Sequence, residues 1–362
     1  MKTGRVAVAQ VAAPPATADE ATGAAAKEPI PFEWLPFPDT AKFKVLGLRW
    51  FEQNQPKLWR MPKAQFSTLP KGVQRTSKSP AGARILIKCN TANLGIKVTP
   101  AAKGNLKGFD VYINGKFLRS VVAEEPQVEA ELVLFRDLGS APKEIIVYLP
   151  YHQDIAIKAI GVDKGTKFSA PTHTYAKPLP IVYYGSSVCQ GAGGSKPGMS
   201  YEAILGRELN LDFVNLGFGG AGKAEKVVVD LVNSIPACCY IFDLGKSYGM
   251  QDLTAYREML RAVRTSHPKT PIICMTPITS SQEVHSESYS KKSVHTRTVM
   301  RDAAKQLIKA GDKRIYLLEG TDLLGFNDHD GLSKDGVHPS DYGFSLIAKR
   351  LLPAVKKALA AR

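Results

Sequence analysis

Two adjacent serines follow a strand-like run in the stretch IVYYGSSVCQG, residues 181–191. A serine in this position commonly caps a helix. Hydrolysis of an ester through a serine further requires a base for the hydroxyl proton, a group that orients the base, and donors for the oxyanion. A nucleophilic role for Ser186 or Ser187 therefore depends on partners elsewhere in the chain.

The base and its orienting group occur together in KDGVHPSDYGF, residues 334–344. Asp335 and His338 stand three residues apart on a turn that enters a helix, so the carboxylate can reach one imidazole nitrogen and leave the other for a serine. A turn with a surface histidine is the plainer interpretation. Unobstructed backbone N–H groups for an oxyanion are available in the glycine-rich segment NLGFGGAG, residues 215–222.

The elements after Pro180 place these segments at one edge of a sheet. Helical patterns near residues 200–210, 223–234, 252–266 and 292–310, and after Ser340, alternate with the strand-like runs IVYYG, FVNLG, CYIFDLG, PIICMT and RIYLLEG. Pro353 is expected to kink the last helix or to end its first half. The alternation predicts a parallel sheet with helices on both faces, in which ligands bind beyond the carboxyl ends of the strands.

The hydrophobic pattern of the N-terminal half has a different period from that of the C-terminal half. Between about residues 83 and 163, short segments of alternating hydrophobicity follow one another without helices, which predicts a β-sandwich or jelly roll. In VEAELVLF, Val128 and every second residue after it are expected on one face. We predict a disordered leader at 1–30, a β-sandwich at 31–165, a linker at 166–180 and an α/β domain at 181–362.

Taken together, these segments resemble the SGNH hydrolases, also called GDSL-type esterases. YGSSVCQG resembles the first sequence block of that family, NLGFGG the second and DGVHP the last. GFDVY, residues 108–112, resembles the motif of the GxDLY domain, a β-rich module that precedes SGNH domains in a group of bacterial esterases directed at carbohydrate. The resemblance covers most of residues 33–360. It implies a flavodoxin-like three-layer α/β/α domain with a parallel sheet, preceded by a jelly-roll-like β-sandwich.

The resemblance implies a role for each candidate residue. Ser187, the third residue of Gly-Ser-Ser, would be the nucleophile, which leaves Ser186 a local hydrogen-bonding role. Asp335 and His338 would complete the triad, and the backbone amides of Ser187 and Gly220 would hold the oxyanion. The implied reaction is hydrolysis of a small acyl ester, an O-acetyl group on carbohydrate, without a metal or an organic cofactor.

One block departs from the family pattern. The family has Gly-x-Asn, whose Asn donates to the oxyanion, where this chain has Gly245-Lys246-Ser247. A serine hydroxyl is shorter and must rotate to donate, and loss of one such donor typically lowers the rate by about 10²–10³. Ser247, Lys246 or a water could fill the position. The alternative function is a carbohydrate-binding protein with a catalytically impaired SGNH domain. Gly245-Lys246-Ser247 is not a phosphate-binding loop, because Tyr240 stands where that motif needs glycine.

Composition narrows the class of partner. The formal charge is +15, but Lys and Arg are scattered and no aromatic-rich nucleic-acid motif accompanies them, which favours a solvated basic surface or attraction of an acidic polysaccharide.

No apolar run approaches the roughly 18–20 residues of a membrane span. Five cysteines without metal-like spacing indicate neither a disulfide framework nor a zinc site. Lys2 and Arg5 precede a short apolar run broken by Gln10, so a secreted or periplasmic location stays open.

Overall fold

The computed structural model describes residues 28–100, 108–122 and 128–360. Apart from its last three residues, the leader predicted at 1–30 lies outside this part of the chain. The elements below all belong to one compact unit that begins at Phe32.

Two antiparallel sheets pack face to face in the N-terminal half. One sheet consists, in order, of β1 (Glu33–Pro36), β9 (Ile155–Val162), β4 (Leu94–Pro100) and β7 (Ala130–Phe135). The other consists, in order, of β2 (Lys44–Leu46), β3 (Arg84–Cys89), β8 (Lys143–Tyr148), β5 (Phe109–Ile113) and β6 (Lys116–Val121). Apolar side chains of both sheets share one buried core, which confirms the predicted sandwich. Helices α1 (Phe51–Asn54) and α2 (Lys71–Ser77) lie between β2 and β3.

The prediction that Val128 shares one face with Ala130 and Leu134 is wrong. Val128 is 84% exposed, whereas Ala130 and Leu134 of the same segment are buried as expected. The ladder between β4 and β7 ends at the pair Val98 and Ala130, so Val128 lies beyond the last paired residue and has no neighbouring strand to cover it.

The C-terminal half contains a parallel sheet. Its strands, in order, are β11 (Phe213–Gly217), β10 (Ile181–Gly185), β12 (Cys239–Asp243), β13 (Ile272–Met275) and β14 (Ile315–Leu318). This is the flavodoxin-like strand order 2-1-3-4-5. The second strand is added on one side of the first and the later strands on the other, so the topological switch point lies between β10 and β12. The loops after β10 and β12 therefore flank the crevice where ligands of such sheets bind.

Helices cover both faces of this sheet, so the three-layer fold is confirmed. They are α3 (Ser187–Gln190), α4 (Tyr201–Leu209), α5 (Lys226–Asn233), α6 (Thr254–Ser266), α7 (Gln282–His285), α8 (Glu287–Lys309), α9 (Gly320–Leu323) and α10 (Asp341–Ala360). Val182 and Tyr184 of β10 pack in the core beneath α5, α6 and α8. Ile181 and Tyr183 face the opposite core with α4 and α10. The side chains alternate because successive strand residues point to opposite faces.

Helix α10 continues through Pro353, so of the two outcomes expected for this proline, an end to the first half of the helix is excluded. Pro353 is exposed, while the apolar stripe of Phe344, Ile347, Leu351 and Val355 stays buried across it. Tertiary packing of that stripe therefore outweighs the one backbone hydrogen bond that proline removes.

The predicted linker at 166–180 contains no helix or strand, only an isolated bridge from Phe168 to Cys89. The domain limits themselves remain a prediction.

Two carboxyl groups lie in the core behind the crevice. Burial raises the pKa of Glu202 in α4 to about 8. Burial likewise raises the pKa of Asp243 at the end of β12 to about 7, although a hydrogen bond from Tyr201 partly opposes the shift. Both groups therefore stay largely or partly protonated in the folded protein at neutral pH.

Stability is expected to fall as the pH rises from about 4 towards 8. Between pH 4 and the folded-state pKa values of about 7 and 8, the unfolded chain releases the protons of both carboxyls while the folded protein largely retains them, which favours unfolding by roughly 2–4 kcal/mol per group. The free energy of unfolding, measured in urea at pH 5, 6.5 and 8, should fall less steeply with pH in Glu202→Gln than in the wild type. Glu208→Gln, at an exposed position of the same helix, is the control. A Glu202→Gln slope equal to that of the wild type would contradict the assignment.

Candidate active site

Ser187 lies at the first turn of α3, directly beyond the carboxyl end of β10. Its Oγ is 2.8 Å from Nε2 of His338, although 151 positions separate the two residues. The neighbouring Ser186 is buried, and its Oγ lies against Gly245, where an added Cβ would come within 2.5 Å. The geometry therefore gives Ser187, and not Ser186, access to the imidazole.

Asp335 holds the other side of the imidazole. Its Oδ2 lies 2.6 Å from Nδ1 of His338, while its Oδ1 accepts backbone N–H groups of Val337 and His338, both at 2.9 Å, and the Ser333 hydroxyl at 3.0 Å. Partial burial alone would raise the pKa of Asp335, but the hydrogen bonds from His338 and Val337 lower it strongly. The carboxylate thus stays ionised, and Nε2 of His338 is left to accept the Ser187 hydroxyl.

Gly193 forms the surface against which His338 packs. A Cβ at this position would lie 2.2 Å from the Pro339 carbonyl oxygen and 2.8 Å from the His338 Cβ. The backbone φ of +100° also favours glycine. Sequence reasoning did not identify Gly193, because a close approach across 145 positions leaves no local signal.

The glycine-rich loop after β11 presents Gly220 to open space. An added Cβ at Gly220 would meet no atom within 4 Å. The N–H of the preceding Gly219 donates to Oε1 of Gln190 at 2.8 Å, whereas the Gly220 N–H has no hydrogen-bond partner among the described residues. Gly220 therefore has an unused backbone donor in the cleft that Ser187 also lines, as an oxyanion donor requires.

Arg60, which sequence reasoning missed, fixes the base of that loop. Its guanidinium is 1% exposed and donates to the carbonyls of Asn215 and Gly217 at 3.1 and 2.5 Å. It also donates to the carbonyls of Ser79 and Thr76 in the N-terminal half, at 2.8 and 2.7 Å. Burial lowers the pKa of Arg60 to about 9, so the side chain remains charged at neutral pH. One cation thus ties the glycine-rich loop to the sandwich half.

The loop after β12 brings Ser247 and Lys246 to the same crevice. The Ser247 hydroxyl has no hydrogen-bond partner within the described chain. The Lys246 ammonium lies 3.0 Å from Oε1 of Glu283. The two carboxylate oxygens of Glu283 also accept hydrogen bonds from the Arg297 guanidinium at 2.7 and 2.8 Å. Burial lowers the pKa of Lys246 to about 8, against the opposing effect of Glu283. Of the two side chains, Ser247 is therefore the freer donor.

The Asp110 carboxylate of the GFDVY segment connects the two halves behind the site. It is fully buried and accepts the backbone N–H of Gly198 at 2.8 Å and the Ser120 hydroxyl at 2.5 Å. The guanidinium of Arg207 lies 4.9 Å from the centre of the Tyr112 ring. The segment thus supports α4 and does not reach the crevice.

Two spaces adjoin Ser187. An open cleft of about 700 Å³ is lined by Ser187, His338, Gly220 and Ser247, among other residues. A recess of about 40 Å³ opens between the Ser187 and Ser247 loops, and its lining includes apolar Val188 and Ile278 as well as Lys246. The recess holds only a few non-hydrogen atoms.

Comparison with known proteins agrees with this architecture. Residues 178–356 match the GDSL-like Lipase/Acylhydrolase family, and residues 32–168 match the GxDLY family, the N-terminus of Esterase_SGNH_hydro-type proteins. The chain belongs to the SGNH hydrolases. This SGNH hydrolase is a carboxylic ester hydrolase, with the N-terminal domain that the sequence predicted.

Solved structures share the fold over most of the chain. A protein from Bacteroides ovatus ATCC 8483, provisionally assigned as a GDSL-like lipase, is 25% identical, with a TM-score of 0.78 over 91% of this chain and 99% of its own. The salicylyl-acyltransferase SsfX3 from a tetracycline biosynthetic pathway is 19% identical, with a TM-score of 0.77 over 91% and 99%. The acetyl xylan esterase Est2A from Butyrivibrio proteoclasticus is 15% identical, with a TM-score of 0.59 over 91% and 98%. No curated protein matches the sequence.

Within the described part of this SGNH hydrolase, no three His, Cys, Asp or Glu side chains are grouped so that they could hold a metal ion. Nor does any helix there combine the length and the apolar character that a membrane span requires.

Gly193→Ala is expected to lower the rate of p-nitrophenyl acetate hydrolysis by about 10²-fold, because the new Cβ would displace His338 from Ser187. Gly311→Ala is the matched control, since Gly311 has a similar φ of +104° but no atom within 4 Å of an added Cβ. Equal rates for the two variants would contradict the packing role of Gly193.

Proposed function

We propose that this SGNH hydrolase removes small acyl groups, chiefly O-acetyl, from carbohydrate through a triad of Ser187, His338 and Asp335. The observation that carries the proposal is the continuous hydrogen-bond chain from Asp335 through His338 to Ser187, at 2.6 and 2.8 Å. Each link joins atoms in the pattern that nucleophilic hydrolysis needs: carboxylate, imidazole and hydroxyl.

In the proposed reaction, the Ser187 Oγ attacks the ester carbonyl carbon while Nε2 of His338 takes the hydroxyl proton. Asp335 accepts the hydrogen bond from the Nδ1–H of His338, which fixes the tautomer and stabilises the imidazolium. The tetrahedral intermediate collapses when the imidazolium returns a proton to the leaving alcohol oxygen. A water molecule, activated by the same imidazole, then attacks the acyl-serine and releases the carboxylic acid and free Ser187.

The oxyanion would lie against the backbone N–H groups of Ser187 and Gly220. Arg60 and Gln190 hold the glycine-rich loop, so these donors need no rearrangement as charge develops on the oxygen. Ser247 stands where the family has asparagine, and its free hydroxyl is the third donor.

The size of the spaces supports an acetyl ester on a large alcohol. The recess of about 40 Å³ beside Ser187 has room for a methyl group but not for an aromatic or long acyl chain. The open cleft of about 700 Å³ leaves the alcohol side free for a bulky sugar. The acetyl xylan esterase of the same fold acts on such a substrate class.

Ser187→Ala should abolish the hydrolysis of p-nitrophenyl acetate, with a loss of about 10³-fold or more, because no nucleophile remains. Ser186→Ala is the matched control, because its hydroxyl faces Gly245 rather than His338. Equal background rates for wild type and Ser187→Ala, together with retained binding of acetylated oligosaccharides, would favour the carbohydrate-binding protein instead.

Ser247→Asn is expected to raise kcat by about tenfold, because an amide presents two fixed N–H donors where the hydroxyl must rotate. Ser247→Ala should lower kcat by a similar factor. If kcat is unchanged in both variants, another group already fills the third oxyanion position. A lower kcat in Lys246→Met would then identify Lys246 as that group.

A further inference from the structure

Three basic side chains converge on the open cleft from separate parts of the fold. Arg75 comes from α2 of the N-terminal half, Lys223 from the loop after β11, and Lys292 from α8. All three are exposed, and none of their charged groups has an ion pair or hydrogen bond to another described residue. Glu225 lies close to Lys223, but it accepts the backbone N–H and forms no ion pair with the ammonium.

Negative charge is scarce on the same walls. Asp335 is the one carboxylate among the residues that line the cleft, and it is already bound by His338 and two backbone N–H groups. The fourth cation of the lining, Lys246, is paired with Glu283. No described carboxylate forms an ion pair with any of the three cations, so they attract an anion and repel one another when it is absent.

The position of these cations tells which part of the substrate is charged. They line the large cleft, whereas the small recess has only one cation in its lining, Lys246, which is already paired with Glu283. A charge on the acyl group would have to enter a recess of about 40 Å³ that offers it no unpaired cation, which is unfavourable. The anion therefore belongs to the alcohol part.

We propose that the ester substrate of this site is carried by an acidic carbohydrate whose sugar carboxylates contact Arg75, Lys223 and Lys292. The inference rests on the proposed esterase function. Tyr289 also lines the cleft, and the Lys246 ammonium lies 5.2 Å from the centre of its ring. Reaction on neutral sugars remains chemically possible, but it lacks the charge attraction.

The test compares acetate release from an O-acetylated trigalacturonate with release from the same compound whose carboxylates are converted to neutral amides. At low salt the acid is expected to have a kcat/KM roughly ten- to a hundredfold higher, since three exposed pairs contribute about two- to fivefold each. This preference should decline as NaCl is added. Equal kcat/KM values for acid and amide would overturn the proposal.

The triple variant Arg75→Gln, Lys223→Gln, Lys292→Gln should bring the ratio of acid to amide close to one. Lys291→Gln should keep the wild-type ratio, because Lys291 pairs with Glu287 on α8 and does not line the cleft. A triple variant that keeps the preference would also overturn the proposal.

Binding to Ser187→Ala, measured by calorimetry with the same two compounds, separates this inference from the proposed function. Tighter binding of the acid supports the charge recognition even if acetate release fails in the wild type. Equal affinities reject the charge recognition even if the esterase reaction is found.

Discussion

Three neighbouring strands of the parallel sheet end in register, and this common end determines where the site begins. Gly185 pairs with Gly217 on one side and with Asp243 on the other, so three strands end at the same height. The absence of side chains at the two glycines lets α3 approach closely, because a Cβ on Gly217 would lie 2.2 Å from the Gln190 backbone nitrogen. The loops with Ser187, Gly220 and Ser247 therefore leave the sheet side by side, and the turn of Asp335 and His338 closes over them.

The N-terminal half supports this arrangement and also takes part in it. Arg60 satisfies carbonyl groups of the glycine-rich loop that would otherwise be buried without donors, a situation that costs about 1–3 kcal/mol per group. Asp110 does the same for the backbone N–H of Gly198 before α4. Arg75 adds a charge to the cleft itself. The sandwich is thus part of the active-site scaffold, in a way that a separate binding module would not be.

The sequence predicted those features that depend on short stretches of chain. Strand period, the glycines after strands and the spacing of Asp335 and His338 are local, so the fold class and the segments that meet at the crevice could be named. The choice of Ser187 and Gly220 within those segments rested on the family resemblance. Arg60 and Gly193 could not, because their importance arises from contacts across more than 140 positions. Helix α8 begins at Glu287, ahead of the expected residue 292, since the Ser286 hydroxyl caps it through the Tyr289 N–H at 3.3 Å.

The buried guanidinium of Arg60 limits how this architecture can be recombined. Its donors are divided between carbonyls of the two halves, so a shuffled protein with a different first half would leave a charge or several carbonyls without partners in a dry interior. Gene fusion or truncation at the segment between the halves would leave the same carbonyls without donors and would destabilise the C-terminal half. The two halves are consequently expected to be inherited as a single evolutionary unit.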